Sequence, residues 1–167
     1  MKKVNLKSII SVFCCFTFLI IFSSCNNSQS TFKKPNCEEA ANAVKQSCEF
    51  PEMVNFGEKQ FLSIYKADTS IVDSFSVLVS SSGATADEIA VIKVKGEKQD
   101  EIDKNVNAIE KVLKDRIKDQ IDGFTGYVEA EVPKLEKAVV KKYGNYVCLI
   151  IAPDYSKAIN TLDSQFK

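Results

Sequence analysis

Cysteines and carboxylates are the side chains of this protein that could do chemistry, because its 167 residues include six cysteines and 22 acidic residues but no histidine. Without histidine, the chain can form neither a Ser-His nor a Cys-His catalytic pair, and it offers no imidazole ligand to a metal. It also lacks the one side chain whose unperturbed pKa lies between about pH 5 and 8. Histidine-dependent mechanisms are therefore excluded.

One polar run imitates the beginning of a calcium-binding loop, with the pattern Asp103-x-Asn105-x-Asn107. An EF-hand loop requires glycine at its sixth position and a bidentate glutamate at its twelfth. This chain has Ala108 and Lys114 at those positions. We therefore predict no metal site, and no phosphate-cradling glycine motif indicates a cofactor.

Other catalytic signatures are equally incomplete. Ser63-x-x-Lys66 matches the Ser-x-x-Lys signature of penicillin-interacting enzymes, but the companion Ser-Asp-Asn and Lys-Thr-Gly motifs are missing. Paired carboxylates can hydrolyse glycosidic bonds. Such pairs in this chain include Glu38-Glu39 and Glu129 with Glu131. Because some neighbouring acids are expected by chance in a chain with 22 of them, we assign these pairs to the solvated surface and predict no catalytic residue.

The amino terminus has the pattern of a secretion signal. Lys2, Lys3 and Lys7 precede an apolar run of 14 residues from Ile9 to Phe22. A membrane-spanning helix needs about 20 apolar residues, so we interpret this run as a signal segment.

The segment Phe22-Ser23-Ser24-Cys25 follows and resembles the lipobox of bacterial lipoproteins. The resemblance implies cleavage before Cys25 and attachment of diacylglycerol to its thiol; ordinary secretory cleavage nearby and an uncleaved anchor are the alternatives. Two acyl chains anchor a protein stably. We therefore expect a signal peptide over 1–24, a lipidated cysteine with a flexible tether over 25–35, and a location at the outer face of the cytoplasmic membrane.

The charge of the chain argues against nucleic-acid binding. Removal of residues 1–24 takes three lysines away and leaves 19 basic residues against 22 acidic ones. Arg116 is the only arginine, and no basic patch with interleaved aromatic residues is present. Nucleic-acid binding depends on clustered lysine and arginine, so we expect no nucleic-acid partner.

Residues 36–167 suffice for a single core, and their periodicity predicts most of its elements. A long amphipathic helix is the clearest of these, and Gly144-Asn145 is a strong two-residue hairpin signal. Residues 52–73 have no assignable pattern. The full prediction is a helix carrying Cys37 to Cys48, strands over 75–80 and 88–95, a helix over 99–121, strands over 138–143 and 146–152, and a final helix capped by Asp154.

This order of helix, hairpin, helix, hairpin and helix predicts an α+β fold. We expect an antiparallel sheet of at least four strands, formed by the two hairpins, with helices packed on one face. Lys93 and Lys95 alternate with the core residues of the second strand, which favours a solvated opposite face.

Several segments, together with Cys25 and the long charged helix, match a family pattern. They are Ala86-Asp87-Glu88-Ile89-Ala90-Val91, Gly126-Tyr127, Lys134-Leu135-Glu136-Lys137-Ala138-Val139-Val140 and Gly144-Asn145-Tyr146-Val147. The chain resembles a family of lipoproteins from Gram-positive bacteria that is classed as a domain of unknown function, of the 4358 type. The resemblance implies a location and a fold, and it implies no activity.

Three cysteines remain in the predicted domain, namely Cys37, Cys48 and Cys148. If one helix carries both Cys37 and Cys48, their α-carbons lie about 16 Å apart, beyond the roughly 7 Å limit for a disulfide. A disulfide between Cys148 and either of them stays open, and buried free thiols that act as small apolar residues are the alternative.

These observations predict a lipid-anchored, non-enzymatic binding or accessory module of the cell envelope. Its expected partners are the membrane, through diacylglycerol on Cys25, and an envelope protein, while the small-molecule ligand stays open. Two other functions compete with this prediction. One is a small envelope hydrolase that uses carboxylates, and the other is a solute-capturing lipoprotein for a transporter.

Overall fold

The structure, a computed structural model, describes residues 33–167. The predicted signal peptide and the lipidation site at Cys25 lie outside the described residues. Within the described part of the chain, no helix combines the length and apolar character needed to cross a membrane.

Five strands form one antiparallel sheet with the order β1-β2-β3-β5-β4. The strands are β1 (Met53–Asn55), β2 (Val72–Ser80), β3 (Glu88–Val94), β4 (Val139–Tyr143) and β5 (Tyr146–Ile151). The helices are α1 (Cys37–Ser47), α2 (Glu58–Tyr65), α3 (Gln99–Phe124), α4 (Val132–Glu136) and α5 (Tyr155–Gln165). The predicted α+β class and both predicted hairpins are confirmed.

The expectation that helices cover one face of the sheet is wrong, because helices cover both faces. Ala90 and Ile92 of β3 pack in one core with α2, α3 and α4, whereas Ile89 and Val91 pack in a second core with α1 and α5. Strand β5 is buried along its whole length, so its alternating side chains need cover on both sides. Lys93, on which the prediction of a solvated second face partly depended, lies near the end of β3, and its Nζ is 2.7 Å from the Asp73 carboxylate. Its charge therefore does not require the rest of that face to be exposed.

The stretch 52–73, which the sequence left unassigned, adds an edge strand and a helix. Strand β1 pairs with the end of β2, with Met53 opposite Ser80. Helix α2 buries Phe61 and Tyr65, and the Phe61 ring stacks on Phe75 of β2 with centroids 4.1 Å apart. Only two residues of this short helix are buried, which explains why its periodicity was too weak to recognise.

Sequence signals at the element ends agree with the structure. The side chain of Asp154 accepts a hydrogen bond from the backbone N–H of Lys157 and caps α5, and Asn36 caps α1 through Glu38. Gly144 has φ +55°, the left-handed conformation that the two-residue turn between β4 and β5 requires.

Cys37, Cys48 and Cys148 are free thiols in the structure, so the Cys148 disulfide considered above is not formed there. Cys37 and Cys148 are buried in the core beneath α1 and α5. Burial raises the pKa of both thiols above the ordinary value, which keeps them protonated near neutral pH.

The two ends of the sheet have different surroundings. At one end, Tyr146 of β5 lies opposite Lys93 of β3, and its hydroxyl donates a 3.0 Å hydrogen bond to the carbonyl of Pro35. The chain therefore enters the domain at this end, which we call the entry end. At the other end, Glu88 of β3 lies opposite Ile151 of β5. We call this the far end.

Phe166, the last buried residue of the chain, anchors α5 on the sheet. Its ring is fully buried, stacks on Tyr143 with centroids 4.1 Å apart and meets the edge of Tyr146. We predict that Phe166→Ala lowers the free energy of unfolding by about 3–5 kcal/mol, because it leaves a cavity between two aromatic rings. Urea denaturation measures this, with the exposed neighbour Lys167→Ala as a control expected within about 0.5 kcal/mol of the parent. A loss below about 1 kcal/mol for Phe166→Ala would contradict the packing described.

Candidate functional site

A carboxylate is buried at the far end of the sheet. Glu88 is the first residue of β3, and its side chain points to the same face as Ala90 and Ile92, beneath α2 and α3. Its residue exposure is 1%. A buried carboxylate is tolerated only when charges and hydrogen bonds compensate it, so its neighbours must be matched to it.

Three side chains from two helices supply that compensation. Tyr65 of α2 donates its hydroxyl to Oε1 of Glu88. Arg116 of α3 donates to Oε2 from Nη2 at 2.7 Å and from Nε at 3.1 Å, and Gln120 donates to the same oxygen from Nε2. Arg116 and Gln120 lie four residues apart and therefore share one side of the helix. We call these four residues, Tyr65, Glu88, Arg116 and Gln120, the Glu88 network.

The pKa values of two members follow from this arrangement. Burial, followed by the negative charge of Glu88, raises the pKa of Tyr65 well above its ordinary value. For Arg116, burial alone would lower the pKa, but the Glu88 carboxylate outweighs burial and raises it. Arg116 is thus a permanent cation, and the Tyr65 hydroxyl is a permanent hydrogen-bond donor.

A second ion-pair cluster lies beside the Glu88 network. Nζ of Lys134 from α4 is 2.9 Å from Oδ2 of Asp87 and 2.7 Å from Oε2 of Glu131. The same Glu131 oxygen accepts a 2.8 Å hydrogen bond from the backbone N–H of Ala86. Asp87 is 2% exposed, and its Oδ1 has no hydrogen-bond partner among the described residues. This cluster joins α4 to the connection between β2 and β3.

The pKa values in the second cluster are shifted in opposite directions. Burial alone would raise the pKa of Glu131, but hydrogen bonds from Lys134 and from the Ala86 backbone outweigh burial and lower it. Burial alone would lower the pKa of Lys134, but Glu131 and Asp87 outweigh it and raise that value. Both groups are therefore charged across the neutral range.

A cleft of about 380 Å³ lies next to the Glu88 network, between the connection from β2 to β3 and the C-terminal turns of α3. Arg116, Asp119 and Gln120 line it from the helix, and Ser82 and Thr85 line it from the connection. Because the connection leads into Glu88, this cleft is at the far end of the sheet.

The side chains of the Glu88 network present further polar groups besides those that bind Glu88. Glu88 is bound through Nε and Nη2 of Arg116 and through Nε2 of Gln120, which leaves Nη1 of Arg116 and Oε1 of Gln120 outside the network. Asp119, one helical turn after Arg116, is exposed and forms no ion pair within the described part of the chain. The lining of the cleft therefore includes a guanidinium and an amide that Glu88 holds in place, and the exposed carboxylate of Asp119.

The structure separates the residues that the sequence singled out. Glu38 and Glu39 are exposed on α1, on the opposite face of the sheet from the cleft. Glu129 accepts a hydrogen bond from the Gly126 backbone, and Glu131 is held by Lys134. The remaining candidates, Asp103, Asn105, Asn107, Ser63 and Lys66, are helical residues or helix caps.

Sequence reasoning missed the role of Glu88, which it placed only as the first residue of a strand. The available signal was the alternation of side chains along the strand. Glu88 is an even number of positions from Ala90, Ile92 and Val94 and therefore points to the same face, so an acidic residue occupies a core position. A partner for that charge was also visible, because Arg116 is three residues after Leu113 on the buried side of the long helix.

Comparison with known proteins supports a family assignment. The model of a family described as "Domain of unknown function (DUF4358)" matches residues 46–152. The chain belongs to this family. Its resemblance to a domain of unknown function is therefore confirmed. The matched part of the DUF4358 domain contains the Glu88 network, the second ion-pair cluster around Lys134 and every residue that lines the cleft. Searches of curated proteins and of solved structures gave no match.

The Glu88 network predicts a graded series of stability losses in the DUF4358 domain. Glu88→Ala removes the acceptor of Tyr65 and Gln120 and leaves Arg116 without its counter-ion, so we expect a loss of about 3–5 kcal/mol. Tyr65→Phe removes one hydrogen bond and keeps the ion pair, so we expect about 1–2 kcal/mol. Urea denaturation measures both losses.

The control for this series is Asp115→Ala, which breaks an exposed ion pair with Lys111 on the same helix. We expect it to cost at most about 1 kcal/mol. If Glu88→Ala costs no more than this control, the Glu88 network does not stabilise the domain as described.

Lowered carboxyl pKa values and raised thiol and phenol pKa values predict the pH range of stability. The pKa of Asp163 is also lowered, because hydrogen bonds from Lys141 and Tyr143 outweigh its burial. Stability from Glu131 and Asp163 is present above their unfolded pKa values and is lost as the pH falls through their folded ones, below about pH 4. Stability from Cys148 and Tyr65, whose pKa values are raised, is present below their unfolded values and is lost above about pH 8.5.

Without histidine, we expect a nearly constant free energy of unfolding between about pH 6 and 8. Urea denaturation across the pH range measures this profile. The variant Asp163→Asn should show a shallower loss on the acid side. Burial, followed by Asp163, raises the pKa of Tyr143, so the variant should also lose less stability on the alkaline side. A main transition between about pH 6 and 8 would contradict this assignment.

Proposed function

We propose that the protein is a non-catalytic binding module of the cell envelope, anchored to the outer face of the cytoplasmic membrane by lipid on Cys25. Its ligand site is the cleft at the far end of the sheet. The single observation that supports a binding role is that fixed partners occupy both oxygens of Glu88, the fully buried carboxylate beside the cleft. Glu88 accepts hydrogen bonds from three side chains, and Lys134 holds Asp87.

Saturation of Glu88 favours binding over hydrolysis for a physical reason. A carboxylate that acts as general acid, general base or nucleophile must exchange a proton or form a bond with the substrate. Both oxygens of Glu88 are instead occupied by Tyr65, Arg116 and Gln120. Asp119 is a free carboxylate in the cleft, but glycoside hydrolysis uses two. The arrangement is suited to holding Arg116 and Gln120 still, which lowers the entropic cost of binding a ligand.

The position of the chain entry supports the anchored arrangement. The chain enters at Pro35, beside Tyr146, and the cleft lies at the opposite end of β3, beside Glu88. Seven residues of a strand span about 20 Å. A tether from Cys25 would therefore join the domain at the end remote from the cleft. In this proposal the cleft lies at the end of the domain that is remote from the tether.

The anchor is tested by mass spectrometry of the amino terminus of the protein purified from a membrane fraction. We expect the chain to begin at Cys25 with a diacylglyceryl thioether, since two acyl chains are needed for stable anchoring. The control variant Cys25→Ala should leave the membrane fraction and carry no lipid.

Two results would contradict the proposal. An unmodified Cys25, or cleavage at another position, would defeat the lipid anchor. Release of soluble fragments from cell-wall material by the purified protein, abolished by Asp119→Asn, would defeat the non-catalytic role and favour the hydrolase.

A further inference from the structure

The charge of the cleft has a definite sign. Four charged residues line it, namely Asp87, Glu88, Arg116 and Asp119. Arg116 neutralises Glu88, whereas Lys134, which lies outside the lining, is shared between Asp87 and Glu131. Asp119 has no such partner within residues 33–167. The cleft therefore carries a net negative charge.

Asp87 provides a second and independent indication of a ligand. It is buried to 2% exposure and lines the cleft, yet its Oδ1 has no hydrogen-bond partner in the described chain. Buried carboxylate oxygens are normally bonded, so an acceptor without a donor marks a place for one. Because the unfilled position is an acceptor, the group that fills it, from water or from a ligand, must bring an N–H or O–H.

Anionic ligands are disfavoured by the same residues. Three carboxylates line the cleft against one guanidinium, and that guanidinium already donates to Glu88. A phosphate or carboxylate would approach Asp119 and Asp87 without a free cation to offset the repulsion.

The remaining surface of the cleft suits a compact ring with polar substituents. Phe56 and Phe124 contribute apolar surface, and Tyr127 has an exposed ring at 75%. Aromatic faces accept both the C–H face of a ring and a nearby ammonium group. Ser82 and Thr85 bring hydroxyl groups to the lining, and Gln120 brings its side-chain amide.

From these contacts we infer that the cleft binds an amino sugar with a free, protonated amine. This inference rests on the proposed function, that the cleft is a ligand site, and it specifies the ligand. The ammonium group pairs with Asp119, and the sugar ring lies against Tyr127. The hydroxyl groups of the sugar meet the polar side chains of the lining.

Three hexoses of nearly equal size test the inference, because they differ mainly in charge. Glucosamine is cationic at about pH 6, glucose is neutral, and glucuronate is anionic. Each is titrated into the purified protein and followed by amide NMR. We expect glucosamine to shift residues 82–88 and 116–127, with an affinity at least about tenfold above that of glucose, which corresponds to one charge-assisted contact. Glucuronate should cause no shifts there.

Variants on α3 connect the binding to the cleft. Asp119→Asn should reduce the glucosamine affinity about tenfold, to the level of glucose. The matched control is Asp122→Asn, which makes the same change on the same helix outside the lining and should keep the parent affinity. Gly123→Trp should abolish binding of all hexoses, since a Cβ at Gly123 meets no atom within 4 Å and the ring can occupy the cleft. Asp122→Trp controls for the added bulk.

The outcomes separate this inference from the proposed function. Equal binding of glucose and glucosamine, both lost in Gly123→Trp, would overturn the charge assignment while the cleft stayed a binding site. Stronger binding of glucuronate would overturn it as well. The amino-sugar inference would be overturned if glucosamine caused no NMR shifts in the cleft, or if Asp119→Asn left those shifts unchanged. The lipid anchor is tested separately, by the mass of the amino terminus.

Discussion

The buried charge of Glu88 is the constraint on which the far end of this domain depends. A carboxylate on the inner face of a sheet must be compensated where it lies, because the interior offers no water to do so. Tyr65 compensates it from α2, and Arg116 and Gln120 do so from α3. One side chain of the sheet therefore fixes two helices, and the position of α3 over β3 is set by an ion pair as well as by apolar packing.

The cleft follows from that arrangement. Arg116 and Gln120 are held by Glu88, so these two side chains of the cleft lining stand at fixed positions. The opposite wall is the connection between β2 and β3, which Lys134 and Glu131 tie to α4 through Asp87 and the Ala86 backbone. Preorganised polar groups of this kind give a ligand site specificity at a low entropic cost.

Local signals made a large part of the fold predictable. The apolar stripe of α3, the Gly144-Asn145 turn and the Asp154 cap each act within a few residues, so they can be recognised in one sequence. The edge strand β1 and the short helix α2 are defined by what they pack on, and their own patterns are weak. Cover on the second face of the sheet depends on α1 packing against β3 and α5, from which it is distant in the chain. The Glu88 network is likewise tertiary, since its members come from α2, β3 and α3.

A double-mutant cycle between Glu88 and Arg116 tests the central claim most directly. The free energy of unfolding is measured by urea denaturation for the parent, Glu88→Gln, Arg116→Gln and the double variant. These substitutions remove each charge and keep polar side chains of similar size. A buried pair that organises the far end of the sheet predicts a coupling energy of at least about 1.5 kcal/mol. Additive losses, within about 0.5 kcal/mol, would contradict the account.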